Sequence, residues 1–255
     1  TVALGLAKQK KVVLIEWGPI GGDCTNFGCV PSKALIDIAK HNPNIGFKKA
    51  LEEVRARRQV IQDEETVEKI ESHGLKVIQW YANFTDEHTL SVDDKNITAE
   101  KIVLATGSSA QKIKIDGVND ADILTNHEIF EQTSDIKKLV VIGGWYIGSE
   151  LAESIASLWV EVHLIQRNTF LIPREEEESS TLLREIFESK GITVHTETVA
   201  KEAKGKILIV TDKDWGNERK ISYDKILIAL GRSANIGKLD LDAAWIESDK
   251  RGIIA

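Results

Sequence analysis

The sequence predicts an α/β protein in which buried parallel strands alternate with helices. Two apolar runs of strand length, Val12–Ile15 and Leu139–Ile142, each lead into a glycine-containing turn and then a helical segment. Such runs are typical of strands buried on both faces, and a strand, a helix and a second strand make a βαβ unit. A chain of 255 residues holds one large or two ordinary domains with a substantial core.

The composition is that of an ordinary globular chain and excludes several classes of protein. Hydrophobic residues make up 42% and charged residues 29% of the sequence. The formal net charge of −7 argues against nucleic acid or an anionic membrane as the main partner. The apolar runs are too short for a membrane-spanning helix and no signal peptide opens the chain, so we expect a cytoplasmic protein.

The first half begins with the end of a helix over residues 1–8 and a strand over Lys11–Glu16. A strand that ends in an acidic residue is typical of the ribose-binding half of a dinucleotide site. A solvated strand end is the alternative interpretation of Glu16. Helices are then predicted at residues 24–41 and 48–72, and short strands at residues 76–80, 89–92, 96–98 and 101–105.

The second half contains the clearest βαβ unit. A strand over Lys138–Ile142 leads into the glycine-rich turn Gly143–Gly148, which opens a helix to about Leu158 before a strand over Val162–Ile165. Such a turn cradles a pyrophosphate on the N-terminus of a helix, so the pattern favours a dinucleotide site. Further predicted elements are a helix at residues 175–190, a hairpin of residues 206–211 and 219–222 around Trp215, and a strand at residues 225–230.

The only two cysteines, Cys24 and Cys29, have four residues between them at the start of a predicted helix. The positive end of a helix dipole favours a thiolate, and a close pair in that setting can cycle between dithiol and disulfide. A small structural disulfide is one alternative, although closing so short a loop stabilises little. Half of a zinc site is another, but no second cysteine pair or nearby histidine completes it, so we expect no metal.

The run Gly21–Lys33, GGDCTNFGCVPSK, closely resembles the redox-active signature of the pyridine nucleotide-disulfide oxidoreductases. The resemblance implies two Rossmann-like domains, with an NAD(P)-binding domain inserted in an FAD-binding domain. It also implies that electrons pass between NAD(P)H and a disulfide or dithiol substrate by way of FAD and the Cys24–Cys29 pair. Cys29 would face the flavin, Cys24 would exchange with the substrate, and Lys33 would lie near the reactive edge of the flavin.

Dihydrolipoamide dehydrogenase, mercuric reductase and glutathione reductase belong to this family. The sequence C-V-P-S-K-A-L favours an activity like that of dihydrolipoamide dehydrogenase, and a mercuric reductase-like enzyme is the alternative. A folded, non-catalytic nucleotide-binding fragment is a further alternative, because the resemblance places the first FAD-binding strand before Thr1 and a catalytic His-Glu pair after Ala255. We expect a homodimer when the protein is full length, and this chain alone to be inactive.

The resemblance also implies which residues bind FAD. Glu16 would bind its ribose, and Tyr81 and Ala82 would lie at its adenine side. Thr106 and Gly107 would make a second contact, after the strand at residues 101–105. The implied set is Glu16, Gly21, Gly22, Thr25, Lys33, Tyr81, Ala82, Thr106, Gly107 and Ser108.

The turn at residues 143–148 corresponds to the family's NAD(P) site. Glu150 would pair with Lys33 beneath the flavin, and Tyr146 would cover the nicotinamide pocket. Gln166 stands where an acidic residue usually binds the ribose 2′-hydroxyl, and Arg167 could accommodate a 2′-phosphate, which slightly favours NADP over NAD. The implied set is Gly143, Gly144, Tyr146, Ile147, Gly148, Glu150, Gln166, Arg167, Gly231 and Arg232.

The same resemblance divides the chain into domains. Residues 1–125 would form the FAD-binding domain without its first strand and glycine loop, and residues 126–233 the NAD(P)-binding domain. Residues 234–255 would return to the FAD-binding domain. The fold is therefore expected to be truncated at both termini.

Four tryptophans, Trp80, Trp145, Trp159 and Trp245, stand where members of the family usually carry glycine. Trp145 occupies the middle position of the G-x-G-x-x-G turn, where an indole should obstruct the dinucleotide or force the loop to remodel. Trp159 follows a helix, at a position that often needs positive φ, which tryptophan disfavours. Our hypothesis is that glycine codons are altered or read as tryptophan, and coincidence is the alternative.

Overall fold

The computed structural model describes residues 2–214, 216–249 and 252–254. The predicted turn residue Trp215 and the first residue, Thr1, lie outside the described residues. The helices are α1 (Val2–Ala7), α2 (Gly22–Phe27), α3 (Cys29–His41), α4 (Phe47–Gln62), α5 (Val67–Glu71), α6 (Asn126–Ile129), α7 (Tyr146–Ala156) and α8 (Glu177–Ser189). Across the part of the chain that is described, no helix is long and apolar enough to cross a membrane.

Seventeen strands lie along the described part of the chain. They are β1 (Val13–Ile15), β2 (Lys76–Ile78), β3 (Asn83–Asp86), β4 (Thr89–Val92), β5 (Lys95–Thr98), β6 (Ser108–Ala110), β7 (Ile123–Leu124), β8 (Lys138–Ile142), β9 (Glu161–Ile165), β10 (Thr193–His195), β11 (Thr198–Lys204), β12 (Ile207–Asp212), β13 (Glu218–Ser222), β14 (Lys225–Ile228), β15 (Arg232–Ala234), β16 (Ser248–Asp249) and β17 (Gly252–Ile253).

The chain forms two compact units. The described residues within 27–58 and 110–231 make the second unit, and those before, between and after these ranges make the first. These limits differ from the predicted boundaries near residues 125 and 233. The assignment of an FAD domain and an NAD(P) domain therefore remains a prediction.

The first unit combines a short parallel pair with an antiparallel sheet. Strands β1 and β2 run parallel, with Leu14 opposite Val77, and β3, β4 and β5 form an antiparallel sheet. Its small core contains Phe84, Leu239 and Leu241. Glu16 directly follows β1 and therefore lies at the carboxyl end of the parallel pair.

The second unit is built on a five-stranded parallel sheet in the order β10-β9-β8-β14-β7. Both faces of its central strand are buried: Leu139 and Val141 pack in one apolar cluster, and Val140 and Ile142 in another. Because β8 lies in the middle and the chain continues to both sides of it, the turn after β8 is at the topological switch point where ligands bind in such sheets. The apolar run at residues 139–142 is thus a doubly buried strand, as predicted.

Three predicted elements differ from the structure. The helix expected over residues 24–41 is interrupted at Gly28, which has φ −122° and ψ −113° and separates α2 from α3. The helix expected over residues 48–72 ends at Gln62, and α5 starts after Thr66, whose hydroxyl accepts a hydrogen bond from Lys69 N. Apolar side chains at the end of α4 do not continue the buried stripe, since Val60 is 68% exposed.

The strand expected over residues 101–105 is extended chain outside any ladder of the described residues. Ile102 and Leu104 pack against the Phe84 cluster, whereas Val103 is 61% exposed. Burial thus alternates along the predicted strand, but a β-ladder also needs a hydrogen-bonded neighbour. In the opposite sense, no strand was predicted at the positions of β3, β6, β7, β10, β11, β15, β16 and β17.

Candidate functional site

The cysteine run begins with a tight turn in the first unit. Gly21 and Gly22 have φ of 91° and 61°, a region that favours glycine. A Cβ on Gly21 would lie 2.1 Å from Glu65 Oε2 and 2.8 Å from Thr25 Cβ. The turn therefore requires glycine at position 21 for both its backbone conformation and its space.

Asn26 holds this turn in place from inside. Its side chain is buried, and its Nδ2 donates to Ile20 O at 3.0 Å and Gly22 O at 2.8 Å. Its Oδ1 accepts from Gln62 Nε2 at 2.6 Å. These bonds fix the backbone around Cys24. Gln62 was missed from the sequence, because nothing local to it signals a contact with the cysteine run.

The two cysteines lie at the starts of successive helices and are both exposed thiols. Cys24 is in α2, within the first unit, and Cys29 is the first residue of α3, within the second. Gly28 is the N-cap of α3 and forms no side-chain cap, so the first backbone N–H groups of this 13-residue helix are left for other acceptors.

The implied pair between Lys33 and Glu150 is present in the second unit. Lys33 Nζ lies 2.6 Å from Glu150 Oε1 and 2.8 Å from Oε2. Both side chains are partly exposed, at 59% and 42%. Helices α3 and α7 bring them together, because Leu35 on α3 and Leu151 on α7 belong to one buried cluster. A pair this exposed stabilises the fold little, so its importance is positional.

Glu16 and Tyr81 lie beyond the carboxyl ends of the paired strands β1 and β2. Glu16 Oε1 accepts a hydrogen bond from Gly18 N at 2.8 Å. Tyr81 stacks on Trp17 with ring centroids 4.8 Å apart, and Lys238 Nζ lies 4.7 Å from the Tyr81 ring. Ala82 follows and is half-buried. Parallel pairing thus gathers an acidic side chain and an aromatic platform at one edge, although Trp17 was not among the predicted contacts.

The segment Thr106–Ser108 is held by residues near position 235. Gly107 has φ of 67°, and its carbonyl accepts from Asn235 N at 3.0 Å. Asn235 Nδ2 donates to Thr106 O at 3.0 Å. Arg232 Nε donates to Ser108 Oγ at 2.8 Å, and its guanidinium lies 3.0 Å from Asp23 Oδ2. Arg232 therefore organises the first unit, rather than the glycine turn of the predicted NAD(P) site. The first-unit role of Asn235 was also missed.

The glycine-rich turn after β8 is closely packed. A Cβ on Gly143, which has φ of 112°, would lie 2.3 Å from Ala229 O. A Cβ on Gly148 would lie 1.9 Å from Gly143 O, and one on Gly144 would lie 2.5 Å from Leu171 Cδ2. The turn therefore needs glycine at positions 143 and 148, where the clash is with backbone, whereas Leu171 could move aside at position 144. It leads directly into α7, whose N-cap Trp145 makes no side-chain cap.

Gln166 is used differently from the expectation. It is buried, its Oε1 accepts from Gly144 N at 3.3 Å, and its Nε2 donates to Phe170 O at 3.0 Å. Because the chain already engages both ends of this amide, Gln166 braces the glycine turn instead of presenting a free group to a ribose. Arg167 is exposed beside it.

The other predicted residues of this site lie around the start of α7 and after β14. Tyr146 is half-exposed, and its hydroxyl donates to the Glu175 carboxylate, a bond that raises the pKa of Tyr146. Ile147 is 39% exposed. Gly231 has φ of 117° and its carbonyl accepts from Gln111 N at 3.0 Å.

Comparison with known proteins agrees with this architecture. The family model described as pyridine nucleotide-disulphide oxidoreductase matches residues 1–255. A mercuric reductase of Bacillus cereus is 34% identical over 98% of this chain and 42% of its own length. A dihydrolipoyl dehydrogenase of Haloferax volcanii is 28% identical over 95% of this chain and 56% of its own length.

Among solved structures, the Cu(II) complex of the HOCl-induced flavoprotein disulfide reductase RclA from Escherichia coli has a TM-score of 0.88. It is 24% identical, and the match covers 100% of this chain and 59% of that one, which shows a shared fold. The chain spans about half the length of the curated relatives it matches. Since the family model matches throughout, the chain belongs to the pyridine nucleotide-disulphide oxidoreductases, a family of FAD-binding, NAD(P)H-dependent enzymes.

Proposed function

We propose that the protein passes electrons between NAD(P)H and a disulfide or dithiol substrate through FAD and the Cys24–Cys29 pair. The observation that carries this proposal is the start of α3. Cys29 is its first residue, and Lys33 lies one turn later with its ammonium 2.6 Å from Glu150. Residues four apart share a helix face, so the Cys29 thiol and a positioned cation project from the same side.

The chemistry assigned to the cysteines balances in electrons and protons. Reduction of the Cys24–Cys29 disulfide by two electrons and two protons gives two thiols. The Cys24 thiolate then attacks one sulfur of a substrate disulfide and releases the other as a thiolate. Cys29 next attacks Cys24, which reforms the protein disulfide and releases the second substrate sulfur. Oxidation of a dithiol substrate runs the same steps in reverse.

The residues of the first unit fit FAD, which when bound supplies the hydride-accepting chemistry that side chains lack. Glu16 sits at the carboxyl end of β1, where its second carboxylate oxygen can accept a hydrogen bond from a ribose hydroxyl. Gly21 and Gly107 provide backbone without side chains at the two other implied contacts. The remaining implied ligands in this unit are Gly22, Thr25, Tyr81, Ala82, Thr106 and Ser108, and Lys33 is an implied ligand from the second unit.

The backbone of the second unit fits a nicotinamide dinucleotide. The turn Gly143–Gly148 follows the central strand and opens an 11-residue helix with backbone N–H groups available to a pyrophosphate. Exposed Arg167 is suited to a 2′-phosphate, which favours NADP over NAD. Tyr146, Ile147, Glu150 and Gly231 complete the proposed contacts, whereas Gln166 and Arg232 act through the chain's own structure.

The first candidate substrate is a dihydrolipoamide-like dithiol, for which the C-V-P-S-K-A-L sequence argues. Mercuric ion is the second candidate, favoured by three mercuric reductases that are 31–34% identical to this chain. We further propose a homodimer for the full-length protein and a cytoplasmic location.

The proposal is tested by anaerobic titration of the FAD-loaded protein with NADPH or NADH, with thiols counted before and after. We expect two new thiols per chain from the oxidised protein and none from C24S or C29S. Dihydrolipoamide-dependent reduction of NAD⁺ and Hg²⁺-dependent oxidation of NADPH then separate the two substrates. A protein that retains no FAD and gains no thiols would be the non-catalytic nucleotide-binding alternative.

A further inference from the structure

Trp145 caps the helix that the proposed NAD(P) site depends on. It is the N-cap residue of α7, with φ −86° and ψ −177°, and its indole is partly exposed at the helix start. The N-terminal N–H groups of α7 are the groups a pyrophosphate would use. A large apolar side chain therefore stands at the position where an anion would approach the backbone most closely.

The backbone on both sides of Trp145 is closely packed. Gly143 and Gly148 pack so tightly that a Cβ on either would meet backbone oxygen within 2.3 Å, at Ala229 and Gly143 respectively. The Oε1 of Gln166 also accepts a hydrogen bond from Gly144 N at 3.3 Å. The turn thus keeps its close-packed form with tryptophan in its middle. Any adjustment to a ligand has to come from the indole.

The indole is held by two neighbours. The Arg174 guanidinium lies 5.3 Å from the centre of the Trp145 ring, within range of a cation–π attraction. The Tyr146 ring lies edge-on at 6.4 Å, and its hydroxyl is tied to Glu175. These contacts oppose rotation of the indole away from the start of α7.

We propose that Trp145 restricts entry of a dinucleotide to the glycine turn and that Arg174 is the positioning residue that keeps it there. This inference rests on the proposed function, because it concerns the same dinucleotide site. Removal of the indole exposes the α7 N-terminus. Removal of Arg174 frees the indole to rotate without altering the turn.

The test is the Kd of NADPH, with NADH in parallel, measured by calorimetry on the purified protein. We expect W145G to lower the Kd at least tenfold and W145A to lower it by less. Alanine fits a φ of −86°, so W145A removes bulk without adding backbone freedom. W159G is the matched control, since Trp159 is a 75% exposed tryptophan outside this turn, and its Kd should equal that of the unaltered protein.

Arg174 is tested in two backgrounds. R174A should tighten NADPH binding several-fold when Trp145 is present and have a much smaller effect in W145G, because the cation–π contact with the indole is then already absent. If R174A weakens binding in both backgrounds, Arg174 contacts the ligand itself and the positioning role is wrong.

The remaining outcomes separate this inference from the proposed function. Equal Kd values for the unaltered protein, W145G and W145A would overturn the restriction by Trp145 and leave the dinucleotide site in place. If W145G and W145A keep the circular dichroism of the unaltered protein and no form binds NADPH or NADH, the proposed dinucleotide site itself is wrong.

Discussion

At the scale of single residues, two tryptophans adopt backbone conformations that suit glycine. Trp159 has φ of 68° and Trp245 has φ of 56°, and their side chains are 75% and 83% exposed. The left-handed region costs an L-residue about 1–2 kcal/mol. Both indoles keep most of their surface exposed, so burial accompanies that strain only to a small extent. The sequence-based expectation of positive φ at position 159 is therefore confirmed.

We expect W159G to stabilise the protein by about 1 kcal/mol, because glycine relieves the left-handed strain and little burial is lost. The measurement is the urea midpoint of unfolding at constant m-value. W80G is the control: Trp80 is also exposed, at 52%, but is not among the residues with positive φ. A lower midpoint for W159G than for the unaltered chain would show that the indole stabilises this site.

The same comparison bears on the hypothesis that glycine codons are altered or read as tryptophan. The backbone at positions 159 and 245 is strained, and an indole stands inside the turn at position 145. Such costs in free energy are expected if the chain is built for glycine at these positions. Trp80 shows no such strain, so its position alone does not distinguish the hypothesis from coincidence. The codons of the gene at these four positions decide it.

At the scale of elements, the adjacent parallel strands β9 and β10 bring two histidines together. His163 Nδ1 and His195 Nε2 lie 3.1 Å apart, and Glu161 Oε1 lies 3.2 Å from His163 Nε2. Burial, together with the smaller effects of the charges of His163, Arg219 and Arg184, lowers the pKa of His195 to about 4. His195 is therefore neutral in the folded protein under ordinary conditions.

This pair predicts a loss of stability in acid. In the unfolded chain His195 binds a proton near its ordinary pKa of about 6.5, before the folded chain does. The free energy of unfolding is thus fully retained above pH 6.5 and falls as the pH drops towards about 4. We expect H195Q to reduce that fall by about 1 kcal/mol, allowing for the remaining solvent exposure of the ring.

Urea unfolding at several pH values between 4 and 7 measures this effect. H88Q is the control, since it removes an exposed histidine from a turn of the first unit. An equal pH dependence for H195Q and the unaltered protein would show that His195 is not the source.

Most elements could be predicted from local pattern, and the exceptions have physical causes. The apolar run of β8, which is buried on both faces, and the glycines of the turn after it specify their structure locally. Gly191, which follows α8 with φ of 81°, does the same for the end of that helix. Residues 101–105 carry the strand pattern without a ladder partner among the described residues. The break at Gly28 and the brace from Gln62 depend on contacts that no local pattern encodes.

At the scale of the whole molecule, the sequence predicted the family and the βαβ architecture, and the comparisons confirm both. Its candidate residues are present in two compact units, with the Lys33–Glu150 pair formed as the resemblance implied. Gln166 and Arg232 could not be assigned correctly from pattern. Their positions after β9 and β14 suit ligand binding, whereas Gln166 accepts from the Gly144 backbone and Arg232 donates to the hydroxyl and carbonyl of Ser108.

The most direct test of the proposed redox chemistry is whether Cys24 and Cys29 form a disulfide with each other. The protein is incubated with oxidised glutathione and analysed by mass spectrometry after proteolysis without reductant. We expect a linked peptide between Cys24 and Cys29 with loss of two hydrogen atoms, and one glutathione on each of C24S and C29S. Two glutathione adducts on the unaltered chain, with no linked peptide, would contradict the central claim that these cysteines act as one redox pair.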